Sequence, residues 1–372
     1  MEKNIDNDLA LKLLKDGGTF IFLDLPYGSE FGIDMKVWNT DHNFKGIKMI
    51  PPGLHFIYYS IKNIHGDTAP RSGFFHIFKR KEFLIRKWNI STEDISAEEI
   101  SEEQKERFKK NLLNLDKSLG PYPYHIWKKW QSLTKHISEN VVQKLTPKSG
   151  YIRSAIDLIN IEKSPNCSTK QRWSKSRTEE ERQEDLLPEL IPKSGTEIRF
   201  TEMPVQRYPD GSNPSEITFH YLDSSYALNI MLSTCMTPLD FIGEIQFAFV
   251  CFLIGANLEA FERWKKLVQL LCNCMKAINR YTQMYLEFIS CIEIQLEEIP
   301  EDFLVDIVAN NNIIYRSLRD FFTNLEFLKS EVDNRLYCRA ERFKTRLTSK
   351  FRWDFTNLEA EEDEDAPVIV LL

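Results

Sequence analysis

A long polar segment divides the sequence into two parts of different character. Between residues 163 and 194 the chain is rich in Ser, Lys, Arg, Glu and Gln, with almost no apolar side chain before Leu186. Such a segment buries too little apolar surface to offset the conformational entropy that is lost when a chain becomes ordered. We therefore predict a flexible polar linker at 163–194, with a folded unit on each side of it.

The part before the linker has the pattern of short β-strands joined by turns. Runs rich in β-branched and aromatic residues occur at 19–25, 55–61, 73–78 and 82–88. Because Pro and Gly separate these runs and no helical pattern lies among them, they predict an antiparallel β-sandwich. Apolar residues at helical spacing then predict two helices, one that ends before Gly120 and one that runs from Ile126 until Pro147 stops it. Residues 1–162 form this predicted domain.

The part after the linker has helical patterns. Thr237, Pro238 and Asp240 have the spacing of a helix start, with a capping Thr, Pro at the first helical position and an acid three residues after the cap. Further helical patterns cover 257–276, 279–297, 301–309, 312–328 and 330–349. Short turns between them predict an all-α domain of stacked helix pairs at 195–350, followed by a tail at 351–372. The predicted fold class is α+β, with several domains.

The composition counts against two classes of function. Forty-eight Lys and Arg face 55 Asp and Glu, which gives a net charge of −7. A protein that grips nucleic acid by its phosphates normally carries a basic surplus, so direct RNA contact is not expected. The sequence has no glycine-rich phosphate-binding loop, no HExxH and no GxSxG, so we expect no enzymatic activity, no cofactor and no small-molecule ligand.

The number of cysteines and the distribution of apolar residues predict the compartment in which the protein functions. Seven cysteines, an odd number, occur without a CxxC pair, which predicts free thiols in a reducing compartment and no metal site. The first residues have no apolar run of the kind that forms a signal peptide. The longest uncharged apolar stretch, 245–258, is shorter than the roughly 20 residues of a membrane helix, so we expect a buried core helix and no membrane contact.

One stretch supports an alternative function. Residues 78–88 mix Lys and Arg with Phe and Trp, as RNA-binding surfaces do when bases stack on aromatic rings. A strand with a solvated basic face has the same composition, and the acidic total charge favours this simpler interpretation. An RNA-binding subunit that uses 78–88 remains the alternative.

The C-terminal end carries the strongest sign of a binding function. An acidic run at 359–365 precedes an apolar end at 366–372, which is out of place on a surface in water. Residues 366–372 (the tip) could fold back as an edge strand on their own domain or add as a strand to a partner's sheet, and the acidic run favours an arm that reaches outward. The predicted partner-binding residues are Trp353, Phe355, Pro367, Val368, Ile369, Val370 and Leu371.

A second regulatory feature lies in the linker. Thr178 is followed by three glutamates, the context that acidophilic kinases recognise. We expect Thr178 as a phosphorylation site, and a solvated, unmodified threonine is the alternative.

Several segments together resemble one known family. They include LPYGSEFGID at 25–34, FKGIKMIPPG at 44–53, GPYPY at 120–124, GTEIRF at 195–200, GEIQFAFVCFL at 243–253, EIPEDFLVDIV at 298–308 and KFRWDF at 350–355. In this order they closely resemble the AAR2 family, the cistron-splicing factors that help to assemble the U5 small nuclear ribonucleoprotein (snRNP). The resemblance covers nearly the whole chain, and the linker and the end of the tail depart from it.

The resemblance implies an N-terminal β-sandwich, a C-terminal helical domain similar to the VHS superhelix, and no catalysis. It implies an assembly chaperone that binds the RNase H-like and Jab/MPN domains of Prp8, the large spliceosomal scaffold protein, within a U5 snRNP precursor. Such a chaperone keeps the U5 helicase off until maturation in the nucleus. The family tail adds as a β-strand at those Prp8 domains, and phosphorylation is implicated in release. A cytoplasmic and nuclear location is expected.

Overall fold

Two five-stranded β-sheets face each other in the N-terminal part of the protein. The computed structural model describes residues 7–62, 67–96, 100–155, 158–160, 190–299 and 313–355. The strands are β1 (Gly18–Leu23), β2 (Glu30–Ile33), β3 (Lys36–Asn39), β4 (Gly46–Ile50), β5 (Gly53–Ser60), β6 (Ser72–Phe78), β7 (Phe83–Asn89), β8 (Asp94–Ile95), β9 (Leu119–Pro121), β10 (Ile152–Arg153), β11 (Leu158–Asn160) and β12 (Leu190–Pro192). The first sheet has the order β8-β7-β1-β4-β9 and the second has β10-β6-β5-β2-β3, while β11 and β12 form a separate pair.

The predicted α+β fold class is confirmed, with one difference in the first sheet. All neighbouring strands of the second sheet are antiparallel, as expected. In the first sheet, however, β1 pairs with β7 and β4 pairs with β9 in parallel. Parallel neighbours need a long crossover connection, and here the intervening chain contributes strands to the second sheet. The pattern of a single strand does not indicate which distant strand will become its neighbour.

The central strand β1 is covered on both faces. Phe20 points between the sheets and stacks on Phe31 of β2, with 5.8 Å between the ring centroids. Ile21 points to the other face and packs under α2 (Glu102–Lys110) and α3 (Leu112–Leu115). Burial on both faces explains why the apolar residues of β1 form a continuous run instead of an alternating one. A helix that the sequence analysis missed, α1 (Asn7–Asp16), precedes this strand.

The second predicted helix after the sheets is interrupted. The structure has α4 (Trp127–Leu133) and α5 (Glu139–Leu145) in its place. Between them the side-chain oxygen of Ser138 accepts a hydrogen bond from the backbone N–H of Val141, which begins α5. A helix start inside an apolar stripe of regular spacing explains why the pattern predicted one helix.

The C-terminal part is mainly helical from Pro214 onward. Its helices are α6 (Pro214–Leu222), α7 (Ser225–Ser233), α8 (Pro238–Leu253), α9 (Leu258–Cys272), α10 (Met275–Arg280), α11 (Thr282–Glu298), α12 (Ile313–Phe327) and α13 (Asn334–Phe351). The predicted start of α8 is confirmed, because the backbone N–H of Thr237 donates to the Asp240 carboxylate at 2.9 Å. The predicted helix at 301–309 lies outside the described residues. No described helix alone is long and apolar enough to cross a membrane, and only the pair α7 and α8, bent by 94°, meets that requirement together.

One face of the second sheet shares an apolar core with the helices. Buried side chains of α4 and α5 belong to the same cluster as those of α8. Gly243 on α8 permits a close approach, since a Cβ atom there would lie 2.3 Å from the carbonyl oxygen of His136. On the sheet side, the ring centroid of Phe75 on β6 lies 4.7 Å from that of Phe247 on α8. The sequence analysis grouped α4 and α5 with residues 1–162, whereas their packing also joins them to the helical part.

Part of the predicted linker is a β-strand. β12 pairs with β11 in antiparallel register, with Ile159 opposite Ile191. The pairing brings together the two ends of the segment between them. Residues 161–189, which include most of the predicted linker, lie outside the described residues.

A buried polar network ties the second sheet to the segment before α4. Asp34 has a positive φ of 55°, and its carboxylate accepts hydrogen bonds from Tyr122 Oη at 2.6 Å and from the backbone N–H of Phe56 at 3.0 Å. His55 Nδ1 lies 2.7 Å from Asp34 Oδ2, and His55 Nε2 lies 2.8 Å from the carbonyl oxygen of Pro51. Both ring nitrogens of His55 thus lie within hydrogen-bond distance of an oxygen atom. Burial, together with the Asp34 carboxylate, raises the pKa of the Tyr122 phenol, which therefore stays a donor.

Candidate partner-binding site

The chain leaves its last described helix through a left-handed residue. Arg352 follows α13 with a φ of 56°, and its backbone N–H donates to the carbonyl oxygen of Thr348 at 3.0 Å. This conformation costs a residue with a side chain about 1–2 kcal/mol, so the contacts of the following residues must hold it in place. The turn directs residues 353–355 back over α12, where those contacts form.

Residues 353–355 are held against α12 by a cluster of five aromatic side chains, two of which belong to the segment itself. We call this cluster the aromatic clamp. Its members are Tyr315, Phe322, Phe351, Trp353 and Phe355. Ring centroids of Phe355 lie 5.5 Å from Tyr315 and 5.0 Å from Phe322, while Trp353 stacks on Phe351 at 5.0 Å. Each such pair contributes about 0.5–1.5 kcal/mol in addition to the burial of its surface. The clamp fixes the point from which the rest of the tail departs.

Hydrogen bonds from two side chains to a backbone carbonyl oxygen reinforce the clamp. Tyr315 Oη donates to the carbonyl oxygen of Asp354 at 2.5 Å, and Arg319 Nη1 lies 3.3 Å from the same oxygen. The side chain of Asp354 is exposed, whereas Trp353 and Phe355 on either side are buried. This alternation is typical of an extended strand with one face on a core. The tail therefore begins in a strand-like conformation.

The predicted site residues divide into two groups. Trp353 and Phe355 are each 4% exposed, so in this structure their side chains contact the protein's own helices and anchor the tail. Residues 367–371 and Thr178 lie outside the described residues. The sequence analysis did not find Tyr315, Arg319 or Phe322. The helical spacing of α12 was visible, but nothing in that spacing indicated which of its aromatic residues would meet the tail.

The alternative RNA-binding strand has no exposed aromatic platform. Phe78 and Trp88 are 1% and 4% exposed and lie in the core of the sandwich. β7 pairs with β1 on one side and with β8 on the other, so it lies inside its sheet. Nearby, Lys79 donates its backbone N–H to Glu82 at 2.6 Å, which places an acid among the cations. Two of the three aromatic rings that would stack on bases are therefore buried, and the third, Phe83, is partly buried against the cluster under α2 and α3.

The described residues offer little chemistry of other kinds. Burial raises the pKa of the Cys251, Cys272 and Cys274 thiols, which keeps them protonated and unreactive. Within the described part of the chain, no group of three or more His, Cys, Asp or Glu side chains is placed to hold a metal ion.

Comparison with known proteins places both halves of the chain in one family. The model described as the AAR2 N-terminal domain matches residues 16–147, and that described as the AAR2 C-terminal repeat region matches residues 200–356. The chain is 42% identical to the mouse protein named Protein AAR2 homolog, over 99% of this chain and 97% of that one. The human protein of the same name is 41% identical over the same shares, and the A1 cistron-splicing factor AAR2 of Saccharomyces cerevisiae is 22% identical over 79% of this chain and 81% of its own length.

Proposed function

The chain belongs to the AAR2 family of splicing factors, and we propose that it is an assembly chaperone of the U5 snRNP. In this role it binds the RNase H-like and Jab/MPN domains of Prp8 and keeps the U5 helicase off until maturation. It acts first in the cytoplasm and then in the nucleus. The observation that supports this most is the aromatic clamp, because it fixes the origin of a tail whose sequence suits β-strand addition.

The tip of the tail is the element that we propose to add as a strand. In an extended segment Val368 and Val370 point to one face, and Ile369 and Leu371 point to the other. Each main-chain hydrogen bond contributes about 0.5–1.5 kcal/mol, and each buried aliphatic side chain about 1.5–3 kcal/mol. Ordering the segment costs about 1–2 kcal/mol per residue, so these terms nearly cancel. The tip alone should bind weakly.

The weakly binding strand becomes effective when another part of the protein first makes contact with the partner. We propose that the helical surface around the clamp supplies this first contact, since Arg352 and Asp354 are exposed there beside the buried rings. A tail held at Phe355 stays close to its site once the first contact forms. Tethering of this kind raises the overall affinity by about 10²–10⁴ without any new contact.

Salt dependence distinguishes this function from RNA binding. We expect the purified chain to bind a Prp8 fragment that contains both domains, with an affinity that changes little between 50 and 200 mM salt, because strand pairing and apolar burial are not ionic. An RNA-binding protein with 6–10 phosphate contacts loses about 10³–10⁵ in affinity over that range. Titrations of the fragment and of a single-stranded RNA at several salt concentrations provide the measurement. Absence of fragment binding, with steeply salt-dependent RNA binding, would support the alternative.

Regulation by phosphorylation is a separate part of the proposal. A phosphate on Thr178 adds about −1.5 to −2 charges next to Arg177 and Arg182. We propose that this modification promotes release from Prp8. The variant Thr178→Glu should then bind the Prp8 fragment more weakly than Thr178→Ala, which serves as the matched control. Equal affinities of the two variants would remove Thr178 from the mechanism.

A further inference from the structure

A groove lies between one edge of the first sheet, formed by β9, and one edge of the second sheet, formed by β3. β3 is the last strand of the second sheet and β9 is the last strand of the first, and the space between them has a volume of about 550 Å³. We call this space the edge-strand groove. Three partly exposed aromatic side chains, Trp38, Phe44 and Tyr124, line it.

The chemistry of the groove suits an extended peptide. The last strand of a sheet presents backbone N–H and C=O groups that can pair with an added strand. β9 is the poorer template, because it has three residues and Pro121 lacks an N–H. β3 is the better one, and two lysines, Lys36 and Lys117, line the groove together with one acid, Asp41. The groove therefore favours an aliphatic peptide that also carries acidic residues.

The protein contains a segment with this composition. Residues 359–365 include six acids, and the apolar tip follows them at once. We propose that, when no partner is bound, the tip docks in the edge-strand groove of its own chain as a strand beside β3, with the acidic run near Lys36 and Lys117. The groove is then a resting site that shields the apolar tip from water. Displacement of the tip by Prp8 rests on the proposed function, whereas the docking does not.

A path of ion pairs runs from the middle of α13 towards the groove. Arg346 on α13 pairs with Glu293 on α11. Five residues further along α11, about 7.5 Å, Glu298 pairs with Lys129 of α4 at 2.6 Å. Lys129 is four residues from His125, which lines the groove. The route from the last helix to the groove thus crosses two ion pairs and short stretches of two helices.

The segment between the clamp and the tip sets how far the tip can reach. Residues 356–366 lie between the clamp and the tip and span up to about 37 Å when they are extended. A partly compact segment would bridge a shorter distance with little additional entropy cost. Docking while residues 353–355 remain in the clamp requires that the groove lie within this span of Phe355.

Site-specific photo-crosslinking in the full-length chain tests the proposal. With p-benzoylphenylalanine in place of Asn39, an exposed residue that lines the groove, we expect crosslinks to residues 366–372. The same photoreactive residue in place of Ile90, which is 77% exposed and follows β7, should give no crosslink to the tip. The double change Lys36→Glu and Lys117→Glu should lower the yield at position 39 about tenfold, while Lys266→Glu on the exposed face of α9 leaves it unchanged.

The outcomes separate this proposal from the proposed function. A yield that does not depend on protein concentration supports docking within one chain, whereas a yield that rises with concentration, or no crosslink from position 39, overturns it. Addition of the Prp8 fragment should abolish the crosslink. If the crosslink forms and persists with the fragment present, docking in the groove stands and the proposed function fails. If the crosslink never forms but the fragment binds through the tip, the proposed function stands and docking in the groove is wrong.

Discussion

Removal of residues 366–372 should weaken binding to the Prp8 domains by about 10²–10⁴, which is the gain that tethering supplies. The clamp and both folded parts remain, so the shortened chain should stay folded. Calorimetric titration of the Prp8 fragment into the full-length and shortened chains measures the difference. In a competition experiment the shortened chain should also lose its ability to keep the helicase off the fragment.

A control for this deletion keeps the tip and changes the acidic run. The double change Glu361→Gln and Glu362→Gln removes two charges but leaves the aliphatic residues intact. Exposed ion pairs contribute about 0.2–1 kcal/mol each, so this variant should lose less than about tenfold in affinity. If the deletion leaves both affinity and helicase competition unchanged, the tip has no part in partner binding.

Replacing Asp34 with alanine should lower the free energy of unfolding by about 3–5 kcal/mol. The change removes the acceptor of His55, Tyr122 and the backbone N–H of Phe56 at once, and it leaves their polar groups buried. Each buried polar group that is left without a partner costs about 1–3 kcal/mol, and three such groups lose their acceptor here. Alanine also tolerates the positive φ of residue 34 less well than aspartate does.

Urea unfolding followed by circular dichroism gives the measurement, with Asp41→Ala as the control. Asp41 is exposed, and the hydrogen bond given for its side chain is a local one from the backbone N–H of Asn43. Its replacement should change the free energy of unfolding by less than about 0.5 kcal/mol. Similar losses for the two variants would show that the buried network does not stabilise the fold.

Local signals in the sequence predicted several helices after Thr237, but they did not predict α6 and α7. The start of α8 follows from Thr237, Pro238 and Asp240 alone, because a capping motif acts within one turn. The predicted patterns at 257–276 and 330–349 correspond to observed helices for the same reason. Such short motifs do not indicate which distant segments of the chain will contact each other.

Long-range contacts account for what the sequence analysis missed. The parallel pairs of the first sheet depend on how the chain crosses between the sheets, and no single strand contains that information. The orientation of Trp353 and Phe355 depends on the left-handed turn at Arg352 and on rings that α12 presents. The edge-strand groove likewise forms only when β3 and β9 end their sheets side by side.

Hydrogen–deuterium exchange at the tip tests the central claim most directly. The measurement compares residues 366–372 with and without the Prp8 fragment, in a chain that carries Lys36→Glu and Lys117→Glu so that docking in the groove does not contribute. Strand addition predicts strong protection of amides in the tip when the fragment is bound, because their N–H groups pair with the edge of the partner's sheet. Exchange at the same fast rate in the presence of saturating fragment would contradict the account.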